Sequence, residues 1–258
     1  MIDPWSLALV LGGFAVGVGL LESWESVAPR VHSVTGVAFP DDDTGTLASD
    51  CSKWLVSGLL VAYVVLVEGR GLGSLGFQYP SHLFWFDAYG GPFALAGWWV
   101  GGVVATILLT SVVYLLYGYL ELSRLESFVD EQATRSTRAK LFTAVTAGVT
   151  ESLLLQAYPI ERIAELSGSL ALAALVSWLL FTGLHYGETF SLAETLYIGV
   201  PAFSMTVLYV ATGSVYVVIL AHASVDALSL LGADDASEDD GTTASMAGTE
   251  ETDLAHTD

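Results

Sequence analysis

Seven times along its 258 residues the chain runs apolar for long enough to approach the thickness of a bilayer. The runs are Trp5–Leu21, Trp54–Val67, Pro92–Leu116, Leu141–Tyr158, Leu166–Tyr186, Ala193–Ala211 and Val215–Leu231. A helix needs about 20 apolar residues to cross the hydrocarbon, within a range of roughly 17 to 25. Trp54–Val67 reaches that length only if Cys51–Lys53 or Glu68 snorkels, and Pro92–Leu116 is long enough to tilt. In lipid a backbone must satisfy its own hydrogen bonds, and runs of this length do so as helices. The expected fold is all-α: a polytopic helical membrane protein of about seven transmembrane helices.

Composition agrees, since 14% of residues are charged against about 25% in a soluble domain. The first run follows Met-Ile-Asp-Pro with no basic flank, which reads as a retained helix rather than a signal peptide. Gly13-x-x-x-Gly17 and Gly97-x-x-x-Gly101 have the small-residue spacing that lets helices pack closely in lipid. Acids outnumber bases 28 to 8, a formal charge of −20, which argues against nucleic-acid partners. Gly232–Asp258 holds nine Asp or Glu and no Lys or Arg, a composition expected to stay disordered. Such acid-rich surfaces resemble those of proteins from salt-loving archaea, whose cytoplasm screens the self-repulsion. The single cysteine, Cys51, excludes an internal disulfide.

Three regions follow: N-terminal transmembrane helices and loops in 1–140, a four-helix core in 141–231, and the acidic tail in 232–258. Seven spans would put Arg30, Lys53, Arg124, Arg135, Arg138 and Lys140 on one side and Arg70 and Arg162 on the other. The positive-inside rule then places the tail in the cytoplasm of an integral, multi-pass cell-membrane protein.

Ionisable residues inside the runs are few. Glu151, His185, His222 and Asp226 all fall in the last four, where on insertion scales an Asp, Lys or Arg near the bilayer centre costs about 2.5 kcal/mol or more. His185 alone reads as an interfacial ring beside Tyr186, Glu151 as polar glue, and His222 and Asp226 as an i, i+4 pair satisfying each other. Together, a glutamate and two histidines on three neighbouring helices imply convergence. A carboxylate facing an imidazole can hold a water and take its proton. A second imidazole with a further donor can stabilise the oxyanion formed when that water attacks a carbonyl. The implied reaction is peptide-bond hydrolysis, and no nucleophile elbow, P-loop, GxGxxG or HExxH competes with it.

The ordered set resembles the CPBP family of intramembrane proteases, the CAAX and bacteriocin-processing enzymes. Phe181-Thr-Gly-Leu-His185 matches FxxxH, and His222-Ala-Ser-Val-Asp226 matches HxxxN/D in its Asp form. The passage LYVATGSVYVVILAHASVDAL at 208–228 is similar to the family's T-G-S passage, and GRGLGSLGF at 69–77 to its Arg…Ser-Leu-Gly segment. The resemblance implies that Glu151 and His185 activate water and that His222 and Asp226 serve the oxyanion, with Phe181 supporting. The family's EExxxR reads here Glu151-Ser152-Leu-Leu-Leu-Gln156. Ser152 and Gln156 replace a charged pair together, leaving no orphan charge, and an i, i+4 hydrogen bond between them would support Glu151. Asp226 must be protonated to donate as Asn does. Glu151, His185 and His222 are also zinc ligands by type, although metal-free activation is the favoured reading.

The sequence thus predicts an intramembrane endopeptidase, glutamic or metal-dependent, with a membrane protein or peptide as substrate. A catalytically degenerate scaffold that binds a membrane peptide is the alternative suggested by Ser152 and Gln156. A proton-coupled transporter ranks below both, because the later helices have no repeat in the earlier ones.

Overall fold

The computed structural model describes Trp5 and residues 41–86, 89–117, 135–185 and 192–250. The first apolar run beyond Trp5, with Gly13 and Gly17, and also Arg30, Arg124 and Tyr186, lie outside the described residues. Those described are helical, with an isolated bridge between Leu83 and Phe86 as the nearest approach to a strand. Helix α1 (Asp41–Leu66) leads through a 3₁₀ turn, Leu72–Leu75, to α2 (Gly91–Tyr117). Helix α3 (Thr137–Glu151) continues through a π-helical turn, Ser152–Ala157, into α4 (Tyr158–Ser167). Then come α5 (Leu170–Leu184), α6 (Leu192–Thr212) and α7 (Val215–Glu250).

Local chemistry sets these boundaries. The Ser136 hydroxyl caps α3 by accepting from the Ala139 amide, and Ser169 caps α5 by accepting from Leu172. Between α4 and α5, Gly168 takes φ 69, the left-handed geometry that closes one helix and frees the chain to start the next.

Among the described residues, two helical segments are long and apolar enough to cross a bilayer, Gly91–Val113 and Val215–Gly232. Of the first, 17% is buried by protein, so its Leu, Val and Ile side chains face outward, as suits lipid rather than a soluble core. Lys53–Leu66, Leu170–Leu184 and Ile198–Thr212 are apolar but shorter. Of the seven expected spans, most of the first lies outside the described residues, and these three helices are shorter than a full span. The run at Leu166–Tyr186 is divided by the Gly168 turn and α5 stops at His185, so its helix has 15 residues.

In the tail, helical backbone runs through Gly232 to Glu250. A helix nucleated by the packed segment upstream propagates without a new nucleus.

Helix α1 runs parallel to the α3–α4 rod, as three cross-links show. Thr143 Oγ1 donates to Asp50 Oδ2 at 2.7 Å, Trp54 Nε1 to Thr146 Oγ1 at 2.9 Å, and Tyr158 OH to Glu68 Oε1 at 3.0 Å. Helix α7 starts at the Glu68 end, where the Val215 amide donates to the Gly76 carbonyl at 2.8 Å. The two passages similar to the family's, around Gly76 and around Thr212-Gly213-Ser214, therefore dock on each other. Ser214 Oγ donates to the Gln78 carbonyl and Gln78 Nε2 to the Gly213 carbonyl.

Glycine acts differently from the sequence expectation. Gly97 and Gly101 of α2 admit the side chains of Leu83 and Phe84 from the preceding loop rather than another helix backbone. The close helix crossing is α3 on α7, where a methyl on Gly148 would lie 2.7 Å from Ala223 Cβ and 2.8 Å from its amide nitrogen. Gly148 is one turn from Glu151, and Ala223 follows His222.

Candidate active site

The site begins with the π turn. Its i→i+5 bonding departs from the α pattern, and the Leu155 carbonyl accepts from the buried Ser177 hydroxyl of α5. Ser177, Phe181 and His185 stand at i, i+4 and i+8, one face of α5. That face is fixed on the π turn at one end and presents His185 at the other. Phe181 stacks on His185 with centroids 4.7 Å apart and planes at 15°, and lies 5.8 Å from the His222 ring. His185 Nδ1 is 2.8 Å from the Phe181 carbonyl. A carbonyl only accepts, so Nδ1 holds the hydrogen and, in the neutral ring, Nε2 offers its lone pair.

Nε2 points at Glu151, whose Oε2 lies 3.8 Å away. The same oxygen is 3.9 Å from His222 Nε2, which is 3.4 Å from Asp226 Oδ2. All four expected residues are brought together. The two gaps at Glu151 exceed hydrogen-bond length, yet one oxygen atom can sit about 2.8 Å from both sides of either gap. Exposure rises across the group, from 9% of the His222 side chain and 16% of Glu151 to 31% of Asp226 and 34% of His185. The cluster is thus closed around His222 and open toward His185 and Asp226. Glu151 stands eleven residues from both Lys140 and Arg162 on its rod, about 16 Å either way at 1.5 Å per residue. That is about half of a 30 Å hydrocarbon core.

The supporting pair departs from expectation. Ser152 and Gln156 are fully buried, and neither the Ser152 hydroxyl nor either Gln156 amide atom has a hydrogen-bond partner. Their expected mutual bond assumed α-helical spacing, and the segment is wound as a π-helix. His222 Nδ1 is likewise buried without a partner. Among the described residues no three His, Cys, Asp or Glu are arranged to hold a metal ion. The separations of 3.8 and 3.9 Å exceed the edge of about 3.3 Å that tetrahedral zinc imposes on its ligands. As placed, Glu151 stands somewhat further from His185 and His222 than a bound zinc would hold it.

A second polar cluster escaped the sequence reading. Arg162 donates from Nε to Glu68 Oε2 at 2.8 Å and lies 2.7 Å from it through Nη2. Its remaining donors reach the Ser74 carbonyl and hydroxyl. Arg70 pairs with Glu165 at 2.7 Å and approaches Glu68 at 3.9 Å. The hydrogen bond from Arg70 holds the Glu165 carboxyl below its ordinary range. Arg70 and Arg162, assigned to one side of the membrane from sequence, meet here. Their available signal was that shared side; Glu68 is more than ninety residues from Arg162 in sequence, and nothing local links them.

The helical bundle thus holds a glutamate within 4 Å of two imidazoles brought from other helices. Residues 135–228 match the family described as Rce1-like, type II CAAX prenyl endopeptidase. That family is a membrane-embedded protease family, and the matched segment holds Glu151, His185, His222 and Asp226. Neither a curated protein nor a solved structure matches the chain.

Proposed function

We propose that the protein is a multi-pass membrane endopeptidase acting on the C-terminal segment of a membrane-associated, prenylated protein or peptide, with residues 141–231 as its working core. The observation that carries this reading is Glu151 Oε2 within 4 Å of two imidazoles from two other helices. A water held between Glu151 and His185 Nε2 gives its proton to Glu151 as its oxygen bonds to the carbonyl carbon. The resulting oxyanion accepts hydrogen bonds from His222 Nε2 and from protonated Asp226. When the C–N bond breaks, Glu151 returns the proton to the leaving amine. Phe181 fixes the angle between the two rings. The full chain in liposomes, given a farnesylated CaaX peptide, is expected to release the tail peptide. Glu151→Gln and His185→Ala abolish that release; unchanged cleavage in both variants removes the roles assigned here.

One observation favours a second reading, a peptide-binding scaffold without hydrolysis: the unpartnered polar atoms of Ser152 and Gln156 beside Glu151. On that reading the wild type is inert and the double substitution Ser152→Glu with Gln156→Arg gains hydrolysis. Cleavage by the unmodified chain excludes it.

A further inference from the structure

The loop between α1 and α2 turns back along α2 and closes on itself. At its neck the Gly91 amide donates to the Pro80 carbonyl at 2.9 Å, and at its tip Leu83 and Phe86 exchange backbone bonds. The Trp98 indole of α2 donates to the His82 carbonyl at 2.8 Å, and Ser81 Oγ lies 3.0 Å from His82 Nδ1. Leu83 fills the space over Gly97, and the Phe84 ring stands on Gly101. Gly101 is ten residues into the helix, about 15 Å along its axis. Phe84 takes φ 50, a left-handed geometry that a bulky residue keeps only where its surroundings hold it. Trp99, the next residue on α2, donates to Ser224 at 3.0 Å, between His222 and Asp226. The same stretch of α2 therefore carries the loop on one side and braces the site helix on another.

The outer edge of the loop is aromatic. Rings run from Trp98 through Phe84, Trp85, Phe86 and Tyr89 to Phe93, with successive centroids 4.6, 5.9, 5.6, 6.4 and 5.5 Å apart. Trp85 is 81% exposed, and Phe86, Tyr89 and Phe93 are exposed beside it. Phe93 begins an outward stripe of α2 that continues through the exposed Val100, Val104 and Leu108. Charge is missing from the same region: in a chain with 28 acids, residues 71–120 include a single Asp, Glu, Lys or Arg, which is Asp87. We propose that this loop is a membrane-inserted element whose aromatic edge, led by Trp85, packs among the outer acyl chains of the bilayer. Contiguous exposed apolar surface marks a membrane or a protein partner. Continuity with the outward aliphatic stripe of a helix able to span a bilayer selects lipid over a second copy of the chain. Trp and Tyr suit that position, each with an apolar body and a polar edge. A non-helical backbone in lipid must find its hydrogen bonds within protein. The bonds at the neck, at the tip and to Trp98 supply them.

The experiment reads what surrounds residue 85. Full-length protein carrying Cys51→Ser and Trp85→Cys is labelled with a nitroxide and reconstituted in liposomes. Oxygen concentrates among acyl chains, whereas a neutral nickel chelate stays in water, so their relaxation of the label separates the two surroundings. Strong relaxation by oxygen and weak relaxation by the chelate are expected. Stronger relaxation by the chelate puts the loop in water and overturns the proposal. Weak relaxation by both puts protein over residue 85, as a second copy would, and overturns it equally. The native ring is followed in parallel in liposomes whose lipids carry brominated acyl chains. The wild type is expected to lose a larger share of its tryptophan emission there than Trp85→Phe does. Equal loss from both proteins overturns the proposal, and this comparison stands whether or not the Trp85→Cys protein folds. Neither measurement requires hydrolysis, so failure here leaves the endopeptidase reading intact.

Discussion

Glu68, with its side chain buried, and Glu151, with its side chain partly exposed, pack with the same helical rod and are treated in opposite ways. Glu68 accepts from Tyr158 and twice from Arg162, at 2.7 to 3.0 Å, and Arg162 is itself held by Ser74. Glu151 makes no hydrogen bond among the described residues; its nearest polar neighbours are the two imidazoles at 3.8 and 3.9 Å. A carboxylate with three such donors is fixed and chemically quiet, because most of its lone pairs are occupied and an Arg⁺ favours the ionised form. An unsaturated one beside imidazoles keeps a lone pair for an incoming water, at a cost in stability. On the proposed function, the contrast assigns structure to one end of the bundle and chemistry to its middle.

The sharpest way to break this contrast is to remove the reactive lone pair without changing shape. Glu151→Gln is expected to lower kcat by about 10³-fold, within the 10²–10⁴ range of a lost general base, while leaving thermal unfolding in detergent unchanged. A variant that unfolds early but still hydrolyses would mean that Glu151 is a structural group like Glu68.

The converse change belongs at the other end. Glu68→Gln, or Arg162→Met, removes one partner of a buried ion pair and is expected to cost about 3–5 kcal/mol. The readout is a large fall in unfolding temperature with near-normal activity per folded molecule. If both single variants keep wild-type stability, the ionic cluster is not what ties α1 and the 3₁₀ turn to α4.

How far the sequence revealed this arrangement depended on how costly each residue is in an apolar run. Glu151, His185, His222 and Asp226 were legible because ionisable groups at membrane depth need a reason, and their spacing matched known motifs. The Glu68–Arg162 pair was not, since Glu68 ends one run, Arg162 follows another, and only the fold joins them. The π turn was also hidden, because Ser-Leu-Leu-Leu-Gln-Ala is equally an α-helical sequence; the Ser177 hydroxyl on another helix takes up one of its carbonyls. Gly148 looked like one small residue among many in Thr-Ala-Val-Thr-Ala-Gly. The conspicuous Gly97 and Gly101 instead receive loop side chains.

Gly148 connects the two halves of the comparison, because packing there sets the distance from Glu151 to His222. In Gly148→Ala the new methyl meets the Ala223 backbone, which cannot rotate away. Overpacking of this kind costs about 1–3 kcal/mol. The larger consequence is geometric: a shift of roughly 1 Å between reacting groups can lower turnover about 10²-fold. Activity falling much further than stability supports the separation of roles. A proportionate fall in both would merge them.

The smallest effect tests the exposed margin of the ionic end. Arg70 donates to Glu165 with both side chains well exposed, at 38% and 50%. Such a pair contributes less than about 1 kcal/mol, screened by solvent and salt. Because Arg70 holds the folded Glu165 carboxyl below its unfolded value, the folded state binds fewer protons there as the unfolded carboxylate begins to titrate. Its contribution is therefore complete above the ordinary glutamate range and is lost as pH falls through the depressed folded value. Arg70→Ala is expected to lower the unfolding temperature slightly at neutral pH and not at all at strongly acidic pH. Added salt should shrink the neutral-pH difference. A larger loss that persists in acid would place Arg70 with Arg162, as a partner of Glu68 rather than of Glu165.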